Sequence, residues 1–254
     1  MAKGKNEVVL MQDELEKLAA AQVEAETSGG PVFLSTKNGI LSYKGNPIAG
    51  NSIDVVVLAS PVERLYYKNR YDPNKPEGAA CFALGPTLSD LRPNAAAIEP
   101  QHDKCVGCPK DQWGSSPLGG KGKACAEKRR LLIMTADSLS SPDNIKIAEV
   151  AALRTPVTSV KPFATYLQTI ASTTRRPLSS LITNISIVPD PKSQFKLQFS
   201  FVKVIDDMAI VRALLDRAAI EVANAVATAG IEEGGSSAEA DEPFDQPVAQ
   251  SAKF

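Results

Sequence analysis

Leu10, Leu15, Leu18 and Val23 fall near one face of a helix in a stretch rich in Ala, Glu and Gln. That spacing predicts a helix over residues 7–27 within an N-terminal arm, 1–29, ended by Ser28-Gly29-Gly30-Pro31. The pattern then changes period. Asn38-Gly39 separates two short apolar runs, which signals a hairpin, and Gly45-Asn46-Pro47 marks a second turn. Residues 53–58, broken only by Asp54, form a largely β-branched apolar run of the kind that suits a buried strand. The segment 64–78, RLYYKNRYDPNKPEG, passes from aromatic-rich strand into turn.

Apolar periodicity is weak across 81–130, where glycine, proline and all four cysteines concentrate. Strand character returns at 131–137 and around 145–153. Residues 159–172 read as a helix with Phe163, Tyr166, Leu167 and Ile170 on one face, and Pro162 is expected in its first turn. Two alternating segments follow, SLITNISIVPD and QFKLQFSFVKVID, divided by a turn. A second strong helix is expected over 206–229, with Ile210, Leu214, Val222 and Val226 as its apolar set. Beyond residue 230 the composition predicts a disordered acidic tail. The pattern as a whole is α+β and mainly β. Without regular strand–helix alternation, a small, strongly bent barrel of about five strands fits residues 30–205 better than a doubly wound sheet.

Charge sharpens this division. The 254-residue chain has a net charge of −1. Residues 1–27 have three Lys against six Asp or Glu, and residues 230–254 have one Lys against six. The body between them is left with net +7. A basic body between acidic ends points to a polyanionic partner. No apolar run is long enough for a membrane span and no secretory leader is visible, so a cytoplasmic location is expected.

The densest chemistry lies in CVGCPKDQWGSSPLGGKGKAC, residues 105–125. Cys105-x-x-Cys108 is a chelating knuckle, and Cys125 with the distant Cys81 can complete a four-thiolate site for zinc. Such a metal staple would order an insertion (about 81–130) that lacks apolar surface of its own. His102 is an alternative ligand. A redox pair at Cys105 and Cys108, or an iron–sulfur cluster, uses the same sulfurs. GGKGKAC lacks the spacing of a nucleotide-binding P-loop. With one histidine and no evident carboxylate pair, no catalytic set is expected and the protein reads as a non-enzyme.

Lys121, Lys123, Lys128, Arg129 and Arg130 are candidates to follow a phosphate backbone. Tyr66, Tyr67 and Tyr71, interleaved with Lys68 and Arg70, suit base stacking with charge neutralisation, although strand alternation is expected to bury one of Tyr66 and Tyr67. Trp113 either stacks a base or covers the metal.

The segments YYKNRYDPNKPEGAACFAL and CVGCPKDQWGSSPLGGKGKAC, together with the acidic tail, resemble the single-stranded DNA-binding proteins of tailed bacteriophages. The resemblance covers about residues 30–205 and the tail. It implies an OB-like five-stranded barrel with a metal-binding Cys-rich insertion, coating of single-stranded DNA in replication and recombination, and cooperative or oligomeric assembly on the strand. It also implies a tail that contacts replication and recombination proteins, with Asp241, Glu242, Pro243 and Phe244, or the terminal Phe254, as the docking residues. Two other classes remain open on the residues alone: a zinc or iron–sulfur redox or nucleic-acid-processing protein, and a phage structural or assembly protein whose metal loop is purely structural.

Overall fold

The computed structural model describes residues 32–69, 77–117, 119, 121–191 and 193–234, with side chains to 229. All belong to the second of the chain's two units, which begins at Pro31. The N-terminal arm, Arg70, Tyr71 and the tail residues Asp241, Glu242, Pro243, Phe244 and Phe254 lie outside the described residues.

The architecture is α+β and mainly β. Ten strands form one curled sheet, a half-barrel, with three α-helices among the described residues. The strands are β1 (Val32–Ser35), β2 (Ser42–Tyr43), β3 (Asn46–Pro47), β4 (Ser52–Ala59), β5 (Val62–Tyr66), β6 (Cys81–Gly85), β7 (Cys125–Thr135), β8 (Ala151–Arg154), β9 (Leu181–Asp190) and β10 (Gln194–Val204). The helices are α1 (Pro142–Ile147), α2 (Val157–Thr174) and α3 (Met208–Gly234). Strand order is β10-β9-β4-β7-β8-β1-β2-β3, and β5 pairs with both β6 and β7. No helix among the described residues is long and apolar enough to cross a membrane.

Helices cover both faces of the central strands. Val55, Val57, Leu131, Ile133, Leu181 and Leu197 pack beneath Phe163, Tyr166 and Ile170 of α2. Val56, Leu58, Leu132, Met134 and Ile182 pack beneath Ile210, Val211 and Leu214 of α3. Two-sided burial is why residues 55–58 read as an unbroken apolar run instead of alternating. Asp207 starts α3, its Oδ1 accepting from the backbone N–H groups of Ala209 at 2.8 Å and Ile210 at 3.3 Å.

Three local expectations are revised. The strand character expected around 145–153 splits into a helix and a short strand, because Ser141 caps α1 (its Oγ accepts from Asn144 N at 3.1 Å) with Pro142 in the first turn. Pro162 sits inside α2, beyond the first turn, because the helix already begins at Val157. The second turn is Lys44-Gly45, both at positive φ, while Asn46 and Pro47 pair with β2.

Candidate nucleic-acid interface and cysteine cavity

The insertion between β4 and β7 is organised by β5. Strand β7 starts at Cys125, earlier than the apolar pattern suggests, and its first five residues pair with β5. Alternation along β5 sends residues to two faces. Leu65 faces Phe82, Leu84 and Ala97, a small apolar cluster closed by Ala229 of α3. The insertion therefore has some core of its own, beyond what its sequence pattern suggests. Arg64 and Tyr66 face the other way, into a cavity lined by Cys81, Cys105, Cys108 and Cys125 together with His102 and Asp111.

All four cysteines thus reach one cavity, and all four are free thiols. Cys105 and Cys108 sit on a tight turn closed by the Cys108 N–H to Cys105 O bond at 3.3 Å, with Gly107 at φ +82°, a conformation a side chain would strain. Cys81 and Cys125 both stand opposite Tyr66, on the two strands flanking it. Two inter-strand spacings separate their backbones by about 10 Å. In keeping with that, no three of His, Cys, Asp and Glu among the described residues are close enough to share a metal ion. The donor chemistry fits a tetrathiolate site; closing it requires the thiols to draw together.

Burial pushes the Cys125 thiol up to about 12 and the Cys105 thiol up to about 11. The Arg64 guanidinium opposes both shifts, and the neighbouring cysteines add to them. His102 lines the cavity but is exposed, with Nδ1 3.0 Å from the Lys104 carbonyl.

An ion-pair ladder leads outward from the cavity. Arg64, its side chain 3% exposed, donates to Asp111 and, at 2.7 Å, to Glu127. Asp111 also receives Lys123 Nζ at 2.9 Å. Burial alone would raise the Asp111 carboxyl, but Arg64 and Lys123 hold it below the usual carboxylate range. Lys123 Nζ in turn lies 5.3 Å from the centre of the Trp113 ring.

The basic cluster does not act as a unit. Lys121 is exposed and Lys123 half-buried, whereas Lys128 and Arg130 point inward and are 9% and 2% exposed. Arg130 faces Arg154 across the β7–β8 ladder, and Glu63 lies between them, receiving Arg130 Nε at 3.0 Å and Arg154 Nε at 3.2 Å. Both guanidinium groups also lie over the Phe33 ring. Lys128 and Arg130 thus belong to a buried charge cluster and are withdrawn from phosphate contact. Arg129, on the opposite face of the strand, is half-buried with Glu127 nearby.

The aromatic candidates divide too. Tyr66 is 7% exposed and lines the cavity, with Lys110 Nζ 5.1 Å from its ring centre, so it is not a free stacking surface. Tyr67 lies past the end of β5 and is 42% exposed. Lys68 is exposed and pairs with Glu99. Trp113 is 78% exposed and outside the cavity lining, which separates it from the role of a metal lid.

Sequence reasoning passed over Asp111, Glu63 and the anchoring part of Arg64. An acidic residue two positions before the lone tryptophan, in a loop otherwise rich in lysine, was the available signal for Asp111. Comparison with protein-family models, with curated proteins and with solved structures finds no match to this chain.

Proposed function

We propose that the protein binds single-stranded DNA without strong sequence preference and without catalysis, through the outer surface of its Cys-rich insertion. The observation that carries this reading is Trp113: a large aromatic, 78% exposed, with Lys123 Nζ 5.3 Å from its ring centre and the Lys121 carbonyl bonded to the adjoining Gly114, on a body of net charge +7. An exposed indole on a basic, glycine-rich loop suits stacking of a base and has no obvious benefit to folding.

The strand connectivity supports an OB-like reading of the sheet. An OB barrel pairs its first strand with the second and fourth, its second with the third and its fourth with the fifth, and sets a helix between the third and fourth. Strands β4, β7, β8, β9 and β10 make these four pairings, and α2 joins β8 to β9. Where the third and fifth strands would close the barrel, β8 instead pairs with β1 in parallel. The loop between the first two strands is a characteristic ligand loop of OB folds. Here it corresponds to residues 60–124, the segment that carries Trp113. With α3 packed across Val56, Leu58, Leu132 and Met134, that part of the sheet is closed to a ligand, which favours the insertion as the binding surface.

The cysteines serve this reading as a metal staple, with Cys81, Cys105, Cys108 and Cys125 as ligands. Zinc is the ion proposed; iron–sulfur chemistry draws on the same donors and is distinguished by elemental analysis and visible absorbance. The resemblance to phage single-strand binding proteins supports a role in replication and recombination, oligomeric or cooperative coating of the strand, and partner docking through Asp241, Glu242, Pro243 and Phe244 or Phe254. The test joins metal to function. Purified protein is expected to hold about one zinc per chain, fewer in Cys108→Ser, and chelation should weaken oligo-dT binding. Because the thiols must lose protons to bind the ion, retention should fail as pH is lowered. Metal-free protein that binds oligo-dT as tightly as the metal-loaded form would separate the cysteines from the function.

A further inference from the structure

The Trp113 loop is held firmly by its own backbone. The Gly114 N–H donates to the carbonyls of Lys121 at 3.3 Å and Gly122 at 3.0 Å, and the Ser116 N–H donates to Gly122 O at 3.1 Å. Ser115 Oγ donates to Lys110 O at 3.0 Å and accepts from the Ala124 N–H at 3.0 Å. Within this frame Lys123 is tied at both sides. Its ammonium group lies 2.9 Å from Asp111 Oδ1 and 5.3 Å from the centre of the Trp113 ring. Asp111 is itself held by Arg64, which is buried and has Glu127 as its second carboxylate.

A lysine in a glycine-rich basic loop is ordinarily read as a phosphate contact. The geometry points elsewhere. We infer that Lys123 is a positioning residue behind Trp113: clamped by Asp111, it covers one face of the indole, fixes the ring, and leaves the opposite face to receive one nucleobase of a single strand. A cation on one face is attracted to the ring quadrupole. A ring already fixed in place loses less conformational freedom when a base stacks on it. Asp111, which would repel a phosphate drawn to Lys123, has a positive role on this account: it keeps the ammonium group on the ring. The inference rests on the single-strand reading above and specifies how its aromatic contact is built.

Trp113 is the chain's only tryptophan, so the intrinsic tryptophan emission of the full-length protein reports this position alone. Titration with oligo-dT is expected to quench that emission. Lys123→Gln and Asp111→Asn should each weaken binding about 2- to 5-fold, in line with one cation–π contact. The double variant should be no weaker than either single one, because the two residues act as one clamp. Neither change should alter the slope of log affinity against log salt. A phosphate contact would behave differently: Lys123→Gln would lower that slope by about 0.7. Such a drop, or tighter binding by Asp111→Asn, would overturn the inference. Oligo-dT binding without any change in emission would also overturn it while leaving the single-strand reading intact. Absence of oligo-dT binding would remove both.

Discussion

Glu63→Gln is expected to lower the unfolding free energy by about 3–5 kcal/mol, the cost of removing one partner from a buried ion pair. The Glu63 and Arg130 side chains are each 2% exposed, and Arg154 reaches the same carboxylate oxygen. Arg130 and Arg154 oppose each other directly in the ladder, where like charges repel. The carboxylate that arrives from β5 turns that repulsion into a junction between the insertion and the sheet. Urea titration should show a lower midpoint with an unchanged slope. A loss below about 1 kcal/mol would mean that the cluster is not the junction described.

The same cluster fixes a pH dependence. Burial alone would raise the Glu63 pKa, but Arg154 and Arg130 outweigh it and hold the carboxyl below its ordinary value. A carboxylate with a folded-state pKa below the unfolded one, about 4.3 for Glu, stabilises the fold above that pH and loses the contribution as pH falls through the folded value. The stability gap between wild type and Glu63→Gln should therefore be full at neutral pH and narrow on acidification below about pH 4.

Trp113→Ala is expected to weaken oligo-dT binding by roughly 5- to 150-fold, the range for loss of one base–aromatic stack. The fold should be untouched, because the ring is 78% exposed and outside every apolar core cluster. Trp113→Phe should recover part of the affinity. If Trp113→Ala binds as tightly as wild type, the exposed indole serves something other than the strand, and the insertion loses its principal contact.

Much of the framework was legible in the chain, and the exceptions have physical causes. The apolar run at 53–58, the alternation of 181–204 and the apolar faces of α2 and α3 are strong patterns, and each became the expected element. The insertion was harder because its short strands pair over long separations. Cys81 and Cys125 flank the same Tyr66 from the two neighbouring strands although 44 positions apart in the chain. The grouping of all four cysteines around one cavity followed from their chemistry and spacing; ligand distances did not. The run Lys128-Arg129-Arg130 misled for a simple reason. Composition counts three cations, but strand alternation turns the first and third inward, where the distant Glu63 meets them. Trp113 stayed ambiguous until its exposure was known, since a lid and a stacking platform call for the same residue.

The most direct measurement is the affinity for oligo-dT set against a blunt duplex of equal length, at low and at near-physiological salt. The account predicts clear preference for the single strand, with affinity falling steeply as salt rises and the release of counterions contributes less. Equal affinity for the two forms, or no binding to oligo-dT at low salt, would contradict it.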